Sequence, residues 1–273
     1  MRIAVIHHAL DQKRRIGKYL IADFCRAFEA AGHRVVHLRG PERVEPADIA
    51  LLHVNASVVP ADHVAIAGRY PAALNMTVTD IRKSVVSQAR LGDDQGYDGP
   101  VIVKSDLNHG GVPERTRLPR QRPEERPPSH MAAHRGSLLN YQIFDTPADV
   151  PPKLRTDPDR VVERFLPERE GDFYFVRQSF FLGDRCVTWR LGARSPIVRG
   201  TDFEKEDMIP TPPAISAYRS RLGLDYGKID YVEHDGIQTV FDVNKTIGGA
   251  GTAPDTVALL APGITSPPLR QDR

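Results

Sequence analysis

The sequence predicts a mixed α/β protein, in which a small parallel α/β unit leads into two lobes rich in β-structure. Three observations carry this. The first segments alternate strand, helix and strand: "RIAVIHH", then a helical run, then "RVVHLRG" and "DIALLHVN". That order builds a parallel unit. Further on, "FYFVRQSFFLGDRCVTWRLG" resumes β-type sequence with a hairpin turn at "GDR". Last, "KIDYV" and "TVFDVN" flank Asp235-Gly236, a strong short-range hairpin signal.

Bulk properties set the frame. The chain has 273 residues, enough for one large domain or two small ones. It is 40% hydrophobic and 26% charged, ordinary for a globular protein. A net charge of +2 argues against nucleic acid as the main partner. Cys25 and Cys186 lie far apart without zinc or disulfide spacing, so both read as core residues. The N-terminal apolar run is too short and polar for a signal peptide, and no stretch has membrane-span length. A soluble cytoplasmic protein is expected.

The elements follow in order. In "KRRIGKYLIADFCRAFEAAGH", Ile16, Tyr19, Leu20, Phe24, Ala27, Phe28 and Ala31 fall at helical spacing, and Gly32 marks the stop. His7 and His8 come just past the first strand, at the carboxyl edge where such sheets collect ligands, although core or surface histidines are the plainer reading. Thr79 or Asp80 can cap a helix running to about Leu91. "PVIVKSDLNHGG" is a buried β run that ends in Lys104. The loop after it carries Asn108, Gly110 and Gly111, whose backbone can approach an anion closely. Residues 112–136 are rich in proline and arginine and poor in large apolar side chains, the composition of a mobile loop or lid. The end, "APGITSPPLRQDR", has the look of a frayed tail.

The closing hairpin raises the chemical question. Asp242 and Asn244 are two residues apart on one strand, so they share a face. With a three-residue loop and a bulge, Asp230 falls opposite Asp242. Facing carboxylates repel each other unless a cation sits between them, and oxygen ligands of this kind suit Mg²⁺. A solvent-facing strand with ordinary polar residues is the alternative.

In this order the segments resemble the ATP-grasp superfamily, which includes D-alanine–D-alanine ligase, glutathione synthetase and the glutamate ligases that modify ribosomal protein tails. The resemblance covers about residues 75 to 250 and is most specific at Lys228-Ile229-Asp230 and Asp242-Val243-Asn244. It implies a leading α/β domain over 1–76, a small lobe over 77–162 with its loop at 112–136, a C-terminal lobe over 163–262 and a tail over 263–273. It further implies Mg²⁺, with Mn²⁺ as a substitute, on Asp230, Asp242 and Asn244. ATP phosphates would meet Lys83, Lys104, Asn108, Gly110 and Gly111. The adenine would meet Glu163, Phe165 and Leu166. For the ribose Glu168, Glu170 and Asp172 compete, with Glu170 preferred. Lys228, Arg190 and Arg199 would face the transferred phosphate. Asp242 stands where the family has Glu, and Lys228 where it has Arg. "NKTIGG" replaces the family's Asn-x-x-Pro-Gly, which adds Lys245 beside the ligand. The implied activity is ADP-forming ligation of a carboxylate to an amine, on small-molecule or peptide substrates, with homo-oligomers allowed. A kinase acting on a hydroxyl and a nucleotide sensor without chemistry are the alternatives. An RNA-binding module, resting on the arginine-rich loop alone, ranks last.

Overall fold

The computed structural model describes residues 1–92, 96–117, 141–266 and 268. Strands β1 (Arg2–His7), β2 (Arg34–Arg39), β3 (Ile49–Leu52) and β4 (Ala73–Leu74) form a parallel sheet in the order β2-β1-β3-β4. Its connections carry helices α1 (Lys13–Ile16), α2 (Ile21–Ala30) and α3 (Ala61–Ala67). The continuous helical run expected from residue 13 is therefore split. Between α1 and α2 the Leu20 N–H donates to the Ile247 carbonyl, and Tyr19 bridges to Gly248. A tertiary partner has taken the backbone groups that helix continuation would need.

A similar competition shortens the helix expected over 79–91 to α4 (Lys83–Val86). Asp80 bridges to Val58, and its carboxylate accepts the Arg82 N–H at 3.0 Å. Ser87 returns to extended backbone. Short polar side chains that bond locally favour such breaks over helix.

The small sheet has β5 (Val101–Ser105) at its centre, with β6 (Gln142–Phe144) and β7 (Arg160–Arg164) antiparallel on either side. Of the loop expected at 112–136, Val112–Arg117 is helix α5; the remainder lies outside the described residues. Arg117 is buried because Asp11 pairs with it at 2.7 Å and the Asn55 carbonyl accepts from it at 2.6 Å. Helix α6 (Pro152–Arg155) precedes β7.

The large sheet comprises β8 (Glu168–Glu170), β9 (Phe173–Leu182), β10 (Arg185–Ala193), β11 (Lys205–Ile209), β12 (Tyr226–His234) and β13 (Ile237–Asn244). Its order is β11-β10-β9-β12-β13, with β8 added against β9. Helix α7 (Pro213–Leu222) joins β11 to β12, and α8 (Pro254–Leu260) follows β13. One face of the sheet buries Phe181, Ile229, Tyr231 and Val243 under α7 and α4. Near the ends of β9 and β12, Phe180, Leu182 and Tyr226 join a core shared with Ile3, Val5, Phe24 and Phe28 of the parallel unit.

Asn75 fastens the two regions together. It sits at φ 64 and is fully buried. Its side-chain oxygen accepts the Asp225 and Tyr226 N–H groups, its amide donates to the Tyr226 carbonyl, and its own N–H donates to Asp225. The segment expected to fray from residue 263 begins instead with buried Gly263 and Ile264, in a short turn of helix. Cys25 is buried, whereas Cys186 is exposed on β10 rather than in the core. Among the described residues no helix is long and apolar enough to cross a membrane.

Candidate functional site

The β12–β13 hairpin turns on two residues rather than three, with Asp235 at φ 50 and Gly236 at φ 75. Those left-handed values are what a tight twisted hairpin requires. The bulge lies further along, at Phe241, which has no partner between the pairs Tyr231↔Val240 and Asp230↔Asp242. The two differences from expectation compensate, so Asp230 does oppose Asp242, and Lys228 opposes Asn244. The bulge also separates Val240, which faces the core, from Asp242, which faces the site.

Each carboxylate meets a lysine. Lys228 Nζ lies 3.0 Å from Asp230 Oδ1, and the buried Lys83 Nζ lies 3.1 Å from Asp242 Oδ1. Neither contact is aligned as a hydrogen bond, and both oxygens are buried. Burial pushes the Asp230 carboxyl up; Lys228 opposes that and Asp242 reinforces it. Burial alone would lower the Lys83 ammonium, but Asp242 and Glu163 outweigh it and hold it above its ordinary value. Two desolvated carboxylate oxygens with incomplete bonding fit a divalent cation. Among the described residues no three His, Cys, Asp or Glu side chains gather as a metal cage. The donor set, two carboxylates and the Asn244 amide, therefore suits Mg²⁺, which takes few protein ligands and fills its shell with phosphate and water. Asn244 Oδ1 already accepts the Thr246 N–H at 2.8 Å.

The second lysine stands on the facing sheet. Lys104 Nζ pairs with the fully buried Glu163 at 2.7 Å and lies 4.3 Å from the centre of the Phe241 ring. Lys104, Glu163, Phe165, Leu166 and Phe241 line one cleft of about 100 Å³ between the sheets. The Phe165 N–H is spent on the Pro100 carbonyl. Asp106, just beyond β5, accepts the Ser84 N–H and hydroxyl, and its carbonyl takes the Lys83 N–H. That joins the two lysine-bearing segments. His109, Gly110 and Gly111 follow with φ of 47, 60 and 70, a left-handed run, and Asn108 donates its N–H to the Ser57 hydroxyl at 2.9 Å.

Glu170, Asp172, Arg190, Arg199 and Lys245 do not line the cleft. Glu170 is exposed and pairs with Arg190 at 2.9 Å, while Glu168 is the buried acid on the cleft wall. Asp172 is exposed as well. Arg190 pairs with Glu168 at 2.8 Å and its guanidinium lies 3.5 Å from the Phe175 ring centre. It is in register with Arg177, so strand alternation turns it away from the face that carries Gln178 and Asp230. The acids that claim Arg190 come from a different strand, which its own motif does not reveal. Arg199 is exposed in the β10–β11 loop beside Gly200, where an added Cβ would lie 3.4 Å from Gln178. Lys245 points away from the paired acids, donating to the Val78 carbonyl at 3.2 Å; burial lowers its pKa to about 7.

His7 and His8 serve packing. His7 Nε2 lies 3.0 Å from His37 Nδ1, and its ring also abuts His53. Burial holds His7 well below its ordinary value and takes His8 and His53 to about 3.

A parallel unit, a small antiparallel sheet and a large antiparallel sheet, with paired acids on the last hairpin, define the class: the chain has an ATP-grasp fold. The crystal structure of D-alanine–D-alanine ligase from Bacillus anthracis matches over 94% of this chain and 91% of its own, at 13% identity and a TM-score of 0.51. The RimK domain protein ATP-grasp from Sphaerobacter thermophilus DSM 20745 matches over 97% and 99%, at 15% identity and a TM-score of 0.50. No protein-family model matches the sequence. No curated protein matches it either.

Proposed function

We propose that the protein is an ATP- and Mg²⁺-dependent ligase that activates a carboxylate as an acyl-phosphate and passes the acyl group to an amine. The observation that carries this reading is the pairing of Asp230 with Asp242, beside Lys83 and Lys228 and next to the cleft lined by Lys104. A likeness in fold to a D-alanine–D-alanine ligase supports the ligase class. Asp230, Asp242 and Asn244 would hold Mg²⁺ (or Mn²⁺ in its place), which when bound neutralises phosphate charge. The purine would lie in the cleft against Phe241 and Ile102, read by the Leu166 backbone because the Phe165 N–H is already engaged. Glu168, rather than Glu170, would meet the ribose.

Lys83 and Lys104 would stabilise charge that builds on the phosphates, the main requirement of phosphoryl transfer. A carboxylate oxygen bonds to the γ-phosphorus as the bridge to the β-phosphate breaks, releasing ADP. The amine nitrogen then bonds to the acyl carbon, inorganic phosphate leaves with the C–O electron pair, and the nitrogen gives up a proton.

The test is product analysis with ATP, Mg²⁺ and pools of carboxylic acids and amines. ADP with free phosphate, formed only when both pools are present, is the expected result. AMP with pyrophosphate would refute the acyl-phosphate route, and phosphate retained on a hydroxyl would make the protein a kinase.

A further inference from the structure

The sheet face that carries Asp230 continues, away from the nucleotide cleft, into a cavity of about 690 Å³. One end is set by Lys228, Asn244 and Gln178, the last paired in register with Asp230. Trp189, Leu191 and Phe180 wall its middle, and the indole N–H is fixed on Thr256 at 2.9 Å. Glu206, on the edge strand β11, closes the other end, and Asp255 lines the groove next to Thr256. The registers Asp230↔Gln178, Gln178↔Trp189 and Leu191↔Glu206 keep this whole line on one face. Three strand spacings and a two-residue offset along the strands separate Asp230 from Glu206, which places them roughly 16 Å apart. Glu206 and Asp255 are exposed, and among the described residues neither is in an ion pair.

Across Asn244 the charge reverses. A cavity of about 340 Å³ shares Asn244 and Gly248 with the groove but is lined by Arg15 and Lys18. A neighbouring one of about 240 Å³ adds Arg14. Cations suit the carboxylate substrate, and acids suit an ammonium. The groove is thus polar at the reacting end, apolar along its length and acidic at its far end. An α-amino acid would bring its own carboxylate toward two more, which is a charge clash.

We propose that this groove binds the nucleophile of the ligase reaction, and that the nucleophile is an extended aliphatic diamine. One nitrogen lies at the Lys228–Asn244 end and attacks the acyl-phosphate: its N–C bond forms, the acyl C–O bond breaks, phosphate departs and the nitrogen loses a proton to solvent. The methylenes lie along Trp189 and Leu191, and the second nitrogen, as an ammonium, faces Glu206 and Asp255. The chemistry rests on the ligase reading, but the binding can be measured without it.

Trp189 is the only tryptophan in the chain, so its emission reports on this groove alone. Full-length protein without nucleotide is titrated with decane-diamine, decylamine and decanedioate, and the same is done for the Glu206→Gln/Asp255→Asn double variant. Both substitutions are at exposed positions that leave the core intact. The diamine is expected to give a saturable change in emission, with an affinity roughly fivefold to thirtyfold weaker in the double variant. Decylamine can turn its single ammonium to the acidic end, so its affinity should fall in the double variant as well. The proposal is overturned by diamine affinity unchanged in the variant, by no saturable change, or by preferential binding of decanedioate. Phosphate release then separates the two ideas. Tight diamine binding without ADP formation for any carboxylate removes the ligase reading and leaves the groove assigned. ADP formation with amines that never perturb Trp189 removes the groove assignment and leaves the ligase.

Discussion

Asp242 does two things at once, and they separate on mutation. It faces Asp230 across the hairpin, and it neutralises Lys83, whose side chain is only 3% exposed. Facing carboxylates alone would predict that Asp242→Asn relieves repulsion and raises stability. The buried ammonium predicts the reverse, since removing one partner of a buried pair leaves an uncompensated charge. The amide oxygen still gives Lys83 a polar contact, so the expected loss is about 2 kcal/mol, read as a lower Tm. Mg²⁺-dependent ATP turnover should fall on the order of a hundredfold or more, and raising Mg²⁺ should recover little of it. Undiminished turnover at low Mg²⁺ would refute the proposal that Asp242 holds Mg²⁺. The pairing of Asp230 with Asp242 was legible in the sequence because the two strands and their turn form a short, distinctive stretch. The surroundings of Glu170 and Arg190 were not legible, because a single acid, Glu168, gathers Arg177, Arg190 and the Glu233 N–H from three other strands. Contacts of that kind leave no local signature.

The bulge at Phe241 decides which side chains the hairpin turns toward the cleft. Without it, alternation would set Phe241 on the face opposite Asp242. With it, the ring lies over Lys104 and on the wall of the cleft. Phe241→Ala should therefore weaken nucleotide binding roughly fivefold to thirtyfold by removing a ring face and a cation–π contact. The side chain is only half-buried, so Tm should barely move. Calorimetric titration with ATP beside a thermal melt checks both; unchanged affinity would place the base elsewhere. The strands themselves were largely readable, because alternating β-branched and aromatic residues bounded by Gly183-Asp184 and Asp235-Gly236 allow little else. Helix lengths were not. Between Thr79 and Leu91, and again at Tyr19, the backbone is drawn off by partners far along the chain, and helical spacing carries no information about such competition.

Over the whole molecule, the buried histidines set the response to acid. His8 and His53 are held at about 3 against an ordinary 6.5, and His7 is lowered too, chiefly by burial. Between those values the unfolded chain binds protons that the folded chain refuses. This contribution to stability is therefore complete above about pH 6.5 and drains away as the pH falls toward 3. Each such histidine adds a slope of up to about 1.4 kcal/mol per pH unit. Among the described residues His53 Nε2 is buried without a hydrogen bond, beside the Tyr19 and Tyr226 rings. His53→Phe should therefore flatten the decline of Tm between pH 6 and pH 4, and a curve parallel to the parent's would assign the acid response elsewhere. Asn75 has a different kind of consequence, one for recombination between genes. At φ 64 the position favours glycine or asparagine, and glycine has no side chain to bond Asp225 and Tyr226. A crossover anywhere between codons 75 and 225 would pair one parent's clasp with the other's strand. The leading unit is thus inherited together with the far hairpin strand, and shuffled offspring should survive only where one parent's asparagine at 75 meets an aspartate at 225 from the other.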